Sequence, residues 1–229
     1  GFLGCITSIR HALCAKSQLN DDFLMSSLFT VVEEALSTLG LAATEKAFPE
    51  IAETEKLSVV VGGLGLGYTA KVALDHASVG ELIVVDYLRP VIDWHEGGLV
   101  PLGAGLSADA RCRFEHGDFF KRAVREGGEG FDSGSSEKKF HAVLLDIDHS
   151  PDHLLNPRHA SFYTESELRK MTEQLHPGGI FGLWSDDPPE ENFMNALNNV
   201  FAHCETHIVP FHNPILGRDS ESTVYVATT

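Results

Sequence analysis

Several features are scarce in this chain of 229 residues, and each scarcity excludes a class of protein. Only 17 residues are Lys or Arg against 33 Asp or Glu, and the formal net charge of −16 disfavours nucleic acid and anionic membranes as partners. The longest nearly uncharged run, residues 57–70, is interrupted by four glycines and is too short to span a bilayer. We therefore expect neither a nucleic-acid partner nor a membrane partner.

Cysteine is also scarce. The four cysteines, Cys5, Cys14, Cys112 and Cys204, include no C-x-x-C pair, and the last two lie in apolar segments where a reduced cysteine behaves as a small hydrophobic side chain. We therefore expect a reducing compartment and predict a cytoplasmic location. The chain starts at Gly1 instead of Met and lacks the ordered regions of a signal peptide, so we expect a trimmed N-terminus.

The overall composition, 43% hydrophobic and 22% charged, is that of an ordinary globular domain. A chain of this length builds one full-sized core, so we predict one domain, residues 51–229, preceded by an N-terminal helical segment, residues 1–50. Within that segment, Asp21 and Asp22 precede apolar residues at helical spacing, and Gly40 follows them. This pattern predicts an amphipathic helix that begins after Asp22 and ends at Gly40.

From residue 57 onward, short apolar runs alternate with helical patterns. The predicted strands are Leu57–Val61, Glu81–Val85, Arg111–His116, Phe140–Leu145 and Ile180–Trp184. The predicted helices are Tyr68–His76, Pro90–Glu96, Phe119–Glu126, Glu165–Leu175 and Glu190–Ala202. Continuous apolar strands separated by helices predict an α/β fold with three layers and a doubly wound, mostly parallel, seven-stranded sheet.

Two regions depart from this alternation. His207–Phe211 and Thr223–Ala227 are strand-like, and their link is rich in turn residues, so the sheet should end in an antiparallel hairpin. Residues 126–139 are rich in Gly, Ser and charge without any periodicity, which predicts a mobile surface loop.

The strongest local motif is V-V-V-G-G-L-G-L-G at residues 59–67, a buried strand that runs into a glycine-rich turn before a helix. Glycine there lets the backbone approach a nucleoside closely, since a Cβ would occupy the place of the ligand. We therefore predict that Gly63, Gly65 and Gly67 bind a cofactor.

Acidic residues follow the next two strands. Asp86 comes about 20 residues after the loop, where a carboxylate can accept hydrogen bonds from both ribose hydroxyls. Asp118 follows the third strand, from where it can accept a hydrogen bond from the adenine amino group. With their neighbours Tyr87 and Gly117, these acids complete one predicted adenosine crevice. The alternative for each acid alone is an ordinary helix N-cap.

The identity of the adenosine ligand stays open at this point. Gly65-Leu66-Gly67-Tyr68-Thr69-Ala70 also satisfies the dinucleotide pattern G-x-G-x-x-A, so an NAD(P)-dependent oxidoreductase is an alternative. Against it, the predicted terminal hairpin differs from the second mononucleotide-binding half of a dinucleotide fold.

At this level the chain resembles a known family, the spermidine synthase-like (polyamine aminopropyltransferase-like) branch of the class I S-adenosylmethionine (SAM)-dependent methyltransferase fold. The resemblance covers roughly residues 57–229. Besides the glycine loop it rests on V-V-D at 84–86, H-G-D at 116–118, L-L-D-I-D-H-S-P at 144–151, F-Y-T-E-S-E-L at 162–168 and L-H-P-G-G-I-F at 175–181.

The resemblance implies a Rossmann-like transferase fold and a role for each motif. The glycine loop and Asp86 would hold SAM or decarboxylated SAM, and Asp118 would contact adenine. The catalytic aspartate of the family lies after the fourth strand and accepts a proton from the attacking amine. This residue would be Asp146, with Asp148 as the next candidate. Asp146 would also border the cofactor. One residue departs from the family: Leu66 stands where aminopropyltransferases carry the Asp of G-G-G-D-G-G, which grips the amino group of decarboxylated SAM.

The predicted acceptor is a small molecule, a cationic amine such as a polyamine, because Asp148, Asp186 and Asp187 would form a negative mouth at the strand ends. Transfer of an aminopropyl group and transfer of a methyl group both stay open, as does a non-catalytic nucleoside-binding module. We predict no metal site, because Pro151 lies between His149 and His153, which are four residues apart, and no further cluster with ligand spacing supports one. By analogy with the family, a homodimer is expected.

Overall fold

A computed structural model describes residues 6–11, 14–19, 22–26, 30–213 and 217–229 of the chain. The earliest of these residues form a small antiparallel sheet of three strands in the order β1-β2-β3. Its strands are β1 (Ile6–His11), β2 (Cys14–Leu19) and β3 (Asp22–Ser26).

The prediction of a helix that begins after Asp22 is wrong in its start. Asp22–Ser26 is a strand, and helix α1 begins only at Val31. Phe23-Leu24-Met25 is a continuous apolar run, and such a run fits a strand as well as a helix.

The predicted end of this helix at Gly40 is also wrong. Helix α1 (Val31–Ala47) continues through Gly40, and α2 (Pro49–Thr54) follows it directly. Gly40 lies against the sheet, because a Cβ at this position would approach Leu144 Cδ2 to 2.6 Å. Close packing therefore outweighs the low helix propensity of glycine. The division of the chain after residue 50 stays a prediction.

Within the described residues, seven strands form the central sheet in the order β6-β5-β4-β7-β8-β10-β9. Five strands are mutually parallel and confirm the predicted alternation. They are β4 (Leu57–Gly62), β5 (Val79–Asp86), β6 (Cys112–His116), β7 (Phe140–Leu145) and β8 (Leu175–Ser185). The strands β9 (His203–Asn213) and β10 (Arg218–Thr228) form the predicted antiparallel hairpin, and β10 also pairs antiparallel with β8.

Helices cover both faces of this sheet and give the predicted three layers. Helices α1, α3 (Tyr68–Asp75), α4 (Arg89–Glu96) and α5 (Gly103–Ala108) pack on one face. Helices α6 (Phe119–Ala123), α7 (Glu165–Thr172) and α8 (Glu191–Val200) pack on the other face. The order of strands reverses between β4 and β7, and in open α/β sheets ligands bind at such a switch point, beyond the carboxyl ends of the strands.

The segment 126–139 is not simply a surface loop. Phe131 is fully buried, and its N–H donates a hydrogen bond of 3.1 Å to the side chain of Gln174. Asp132 is buried as well and forms ion pairs with Arg113 and Lys138 at 3.0 and 3.2 Å. The segment is rich in glycine and serine but contains one buried aromatic side chain, Phe131, so composition alone does not predict this packing.

Among the described residues, no helix is both long enough and apolar enough to cross a membrane.

Candidate functional site

The glycine loop lies beyond the carboxyl end of β4 and has a backbone that only glycine adopts easily. Gly63, Gly65 and Gly67 have positive φ angles of 94°, 47° and 93°. A Cβ at Gly63 would lie 2.0 Å from the carbonyl oxygen of Asp146, which places the loop directly against the end of β7. The sequence therefore needs glycine at 63 both for conformation and for space.

His95 on α4 packs against the glycine loop, a contact that the sequence pattern does not predict. Its side chain is fully buried, and Nε2 lies 3.0 Å from the Gly65 carbonyl oxygen, so that nitrogen donates. Burial lowers the pKa of His95, which keeps the imidazole neutral. The ring also leaves no space at Gly67, where a Cβ would approach His95 Cε1 to 2.9 Å.

Asp86 is the last residue of β5, and its carboxylate accepts a hydrogen bond from the backbone of the glycine loop. One carboxylate oxygen accepts a 2.8 Å hydrogen bond from the Leu64 N–H, and the other accepts one of 2.7 Å from the Leu88 N–H. Burial raises the pKa of Asp86, although these backbone donors oppose the effect. A carboxylate offers about four acceptor positions, so Asp86 retains capacity for ribose hydroxyls. The neighbouring Tyr87 side chain is 70% exposed.

Gly117 and Asp118 follow β6 beside this point. The Gly117 N–H donates a 3.0 Å hydrogen bond to the Asp86 carbonyl oxygen, which joins the two strand ends. Asp118 is the N-cap of α6, and its Oδ1 accepts hydrogen bonds from the N–H groups of Phe120 and Lys121. The capping alternative considered for Asp118 is thus realised, and since these bonds use Oδ1, Oδ2 is left as an acceptor for a ligand.

Asp146 lies directly after β7, on the other side of the switch point. Its N–H donates to the Gly62 carbonyl oxygen at 2.8 Å, and its Oδ2 accepts a 2.5 Å hydrogen bond from the Thr69 hydroxyl. Burial, reinforced by the charge of Asp186, raises the pKa of Asp146 to about 6. A carboxylate with this pKa is suited to accept a proton near neutral pH.

Asp148 is arranged differently from Asp146. It is 3% exposed and accepts hydrogen bonds from the Leu155 N–H, the His159 ring and the Tyr163 hydroxyl, each at 2.8 Å. A buried carboxylate with three donors fixes the chain after β7 and favours a structural role over the predicted catalytic one. The catalytic role of Asp148 stays a prediction that these contacts do not support.

Glu33 is a site residue that the sequence reasoning missed. It lies in the first turn of α1, is 9% exposed, and its Oε2 is buried without a hydrogen-bond partner. Burial, reinforced by the charge of Asp146, raises the pKa of Glu33 to about 8. The N-terminal helix therefore adds a third acid to Asp146 and Asp186.

The acids of the predicted negative mouth do not form one cluster, because Asp186 and Asp187 have different partners. Asp186 is exposed and lies near Asp146, with its Oδ2 3.4 Å from His149 Nδ1. Asp187 pairs instead with His153 at 3.0 Å. Each histidine of the closely spaced pair thus contacts a different carboxylate. Across residues 30–213 and 217–229, no group of three or more His, Cys, Asp or Glu side chains is arranged to hold a metal ion.

The structure therefore brings most of the predicted residues to one edge of the sheet. The glycine loop contacts Asp86 on one side and Asp146 on the other, and Gly117 joins Asp86 to the end of β6. The glycine loop presents backbone without side chains, and the carboxylates beside it are acceptors for hydroxyl and amino groups. This edge of the sheet is where the sequence predicts that an adenosine-containing ligand binds.

A comparison with models of known protein families finds no match. Among curated proteins, polyamine aminopropyltransferase 2 of Pseudomonas aeruginosa is 24% identical over 163 residues, which cover 69% of this chain. The match covers 43% of that relative, so the chain corresponds to less than half of its length.

Solved structures share the fold over most of the chain. Spermidine synthase from Thermotoga maritima aligns with a TM-score of 0.67 at 14% identity and covers 97% of this chain and 72% of its own. A probable spermidine synthase from Corynebacterium glutamicum gives 0.65 at 14% identity and covers 99% and 77%. Human methyltransferase-like protein 13 in complex with SAH gives 0.61 at 17% identity and covers 86% and 81%. The chain has the class I SAM methyltransferase fold, and it is similar in sequence to a curated aminopropyltransferase and in architecture to spermidine synthases, as its strand-end motifs predict.

Proposed function

We propose that this chain binds SAM or decarboxylated SAM at the glycine loop and transfers a methyl or an aminopropyl group to an amine acceptor. Asp146 is the general base. The observation that carries the proposal is the position of Asp146, a carboxylate with a pKa of about 6 that lies against the glycine loop at the switch point. The similarity to a polyamine aminopropyltransferase and to spermidine synthases supports the same class of reaction.

Binding of the donor is assigned to the residues at the ends of β4, β5 and β6. Gly63, Gly65 and Gly67 provide backbone without side chains, Asp86 accepts from the ribose hydroxyls, and Asp118 Oδ2 accepts from the adenine amino group. The resemblance to the family supports these roles, and the contacts described above are compatible with each of them.

Leu66 bears on which donor is used. Its side chain is 3% exposed and packs with Val100, Tyr68 and Trp94. This apolar surrounding differs from the acid that grips the amino group of decarboxylated SAM in the family pattern. A charge-assisted hydrogen bond of this kind contributes about 1.5–3 kcal/mol, so its loss weakens selection of the decarboxylated form.

When bound, the donor supplies an electrophilic carbon attached to a sulfonium. The amine lone pair forms a carbon–nitrogen bond to this carbon, the carbon–sulfur bond breaks, and the electron pair stays on sulfur as a neutral thioether. Asp146 accepts the proton that the amine sheds. The Thr69 hydrogen bond orients the carboxylate for this transfer, and positioning of this kind contributes substantially to catalysis.

Calorimetric titration with SAM, decarboxylated SAM, methylthioadenosine and NAD tests the donor site. We expect adenosine-containing sulfur ligands to bind and NAD not to bind; binding of NAD alone would overturn the proposal. The variant Asp146→Asn tests catalysis, because it keeps the shape and removes the base. We expect loss of turnover with donor affinity nearly unchanged, whereas unchanged turnover would remove Asp146 from the mechanism. A homodimer and a cytoplasmic location stay predictions from the sequence and the family.

A further inference from the structure

Glu33 has a property that the proposed reaction does not explain. Its carboxyl group is nine-tenths buried, and Oε2 has no hydrogen-bond partner. Burying a polar atom without a partner costs free energy. Stabilising the start of α1 does not explain the burial of Glu33. The adjacent Glu34 already serves the helix start, because it is exposed and accepts a 2.8 Å hydrogen bond from the Thr30 hydroxyl.

The packing of α1 directs Glu33 toward Asp146. Glu33, Ser37 and Gly40 lie on one face of the helix because residues four and seven apart share a face. The Ser37 hydroxyl donates a 2.7 Å hydrogen bond to the Thr69 carbonyl oxygen, and Thr69 in turn binds Asp146. Gly40 lies against Leu144 of β7, further from the carboxyl end of that strand. The first turn of α1 therefore overlies the edge of the sheet where the donor crevice opens.

The charges that act on Glu33 come from three elements. Asp146 follows β7, Asp186 follows β8, and Glu34 belongs to α1 itself; each is negative and raises the pKa of Glu33. At the outer end of this group, His149 lies 3.4 Å from Asp186. With a pKa of about 8, Glu33 holds its proton near neutral pH while Asp146 is mostly ionised.

Two further polar atoms on this side of the sheet are buried without partners, Trp184 Nε1 and Ser222 Oγ. Trp184 pairs with Val224 in the sheet, and Ser222 lies two residues from Val224, so all three side chains share one face. Helix α1 packs across the same face. The face of the sheet that α1 covers thus contains buried polar atoms without partners besides Glu33 Oε2.

We propose that Glu33 binds the ammonium group of the acceptor and releases its own proton to solvent as the acceptor binds. This inference rests on the proposed function for its substrate class, a protonated alkylamine. A cation beside Glu33 favours the carboxylate over the carboxylic acid. The exchange balances: the carboxylic acid and the alkylammonium ion give a carboxylate–ammonium pair and one free proton. Glu33 thereby selects a cation without carrying a buried charge when no amine is bound.

The test is calorimetric titration of the chain with 1,4-diaminobutane near pH 7 in buffers of different ionisation enthalpy, with and without methylthioadenosine. The dependence of the heat on the buffer measures the protons released. We expect release of up to about one proton per amine, and less near pH 9, where Glu33 is already ionised. Butan-1-ol, a neutral analogue, should give no release.

Glu33→Gln and Glu34→Gln are the matched variants. Glutamine resembles the protonated carboxyl in shape and charge, so we expect Glu33→Gln to fold normally, to release no proton and to bind the amine about tenfold more weakly. Glu34→Gln removes an adjacent exposed carboxyl and should match the wild type in both measurements.

The outcomes separate this inference from the proposed function. Equal amine affinity and proton release in the wild type and Glu33→Gln would overturn the inference, as would failure of the wild type to bind the amine. Binding of the amine with Glu33-dependent proton release, without binding of any adenosine ligand, would support the inference and overturn the transferase proposal. Binding of the donor to all variants, with no role of Glu33 in amine binding, would support the transferase proposal and overturn the inference.

Discussion

The hydroxyl of Thr69 on α3 donates a 2.5 Å hydrogen bond to the carboxylate of Asp146 at the end of β7. This bond lowers the pKa of Asp146, whereas burial and the charge of Asp186 raise it. The second residue of the helix after the glycine loop thus adjusts the basicity of Asp146, the proposed general base. The glycine loop and the proposed general base are therefore linked through one side chain, that of Thr69.

Replacing Thr69 by valine should shift the pH profile of transfer. The substitution removes the hydroxyl at nearly constant volume, so the pKa of Asp146 should rise further. A base works only when ionised, so kcat/KM should begin to fall at a higher pH as the solution is acidified. The acidic limb of kcat/KM against pH measures this shift. Thr69→Ser keeps the hydroxyl and should retain the wild-type limb; an identical limb in Thr69→Val would contradict the link.

Replacing Gly63 by alanine should disrupt the loop. The new Cβ would lie 2.0 Å from the Asp146 carbonyl oxygen at a φ of 94°, so we expect a loss of about 1–3 kcal/mol in the free energy of unfolding and weaker binding of methylthioadenosine. Denaturant unfolding and calorimetry measure these effects. Gly105→Ala is the control, since nothing lies within 4 Å of that Cβ, and it should leave both values nearly unchanged or gain slightly in stability.

Asp118 has two separable roles, a helix cap and a proposed contact with adenine. Asp118→Ala should lose both, with a cost of about 0.5–2 kcal/mol in stability and weaker donor binding. Asp118→Ser keeps a good N-cap and should lose only donor affinity. Thermal unfolding and titration with methylthioadenosine separate the two effects. Unchanged affinity in both variants would leave Asp118 as a cap alone.

Tyr163 should matter for stability and not for donor binding. Tyr163→Phe removes the 2.8 Å hydrogen bond to the buried Asp148 carboxylate, and a lost bond to a charged group costs about 1.5–3 kcal/mol. Urea unfolding measures the cost, and Tyr87→Phe, at an exposed ring, is the stability control. If Tyr163→Phe abolished donor binding without affecting unfolding, Asp148 would have a functional role after all.

The strand-end motifs were predictable from the sequence because their physics is local. A buried strand followed by glycines, or by an acid, places that residue at the carboxyl edge wherever the strand lies in a parallel sheet. Hence the sequence places Gly63, Asp86, Asp118 and Asp146 at this edge of the sheet. Their contacts were less accessible, since Asp118 capping its own helix and Asp148 buried against Tyr163 depend on side-chain directions.

Glu33 was missed because the predicted helix had the wrong register. A helix read from Asp22 to Gly40 treats its acids as solvated, whereas the observed buried face contains Glu33, Leu36, Ser37 and Gly40. That spacing of three and four residues was visible in the sequence, but only with Gly40 counted as a packing residue and not as a terminator. His95 was missed because its partner, the Gly65 carbonyl oxygen, is backbone and leaves no pattern in the sequence.

The position of His95 makes α4 and the glycine loop one mechanical unit. A rigid ring in a close-packed interior transmits a displacement and does not absorb it, so a tilt of α4 moves the Gly65 carbonyl with it. The outer side of this helix carries exposed charges, Arg89, Asp93 and Glu96. A molecule that bound those charges would therefore act on the glycine loop through His95, without entering the proposed donor site.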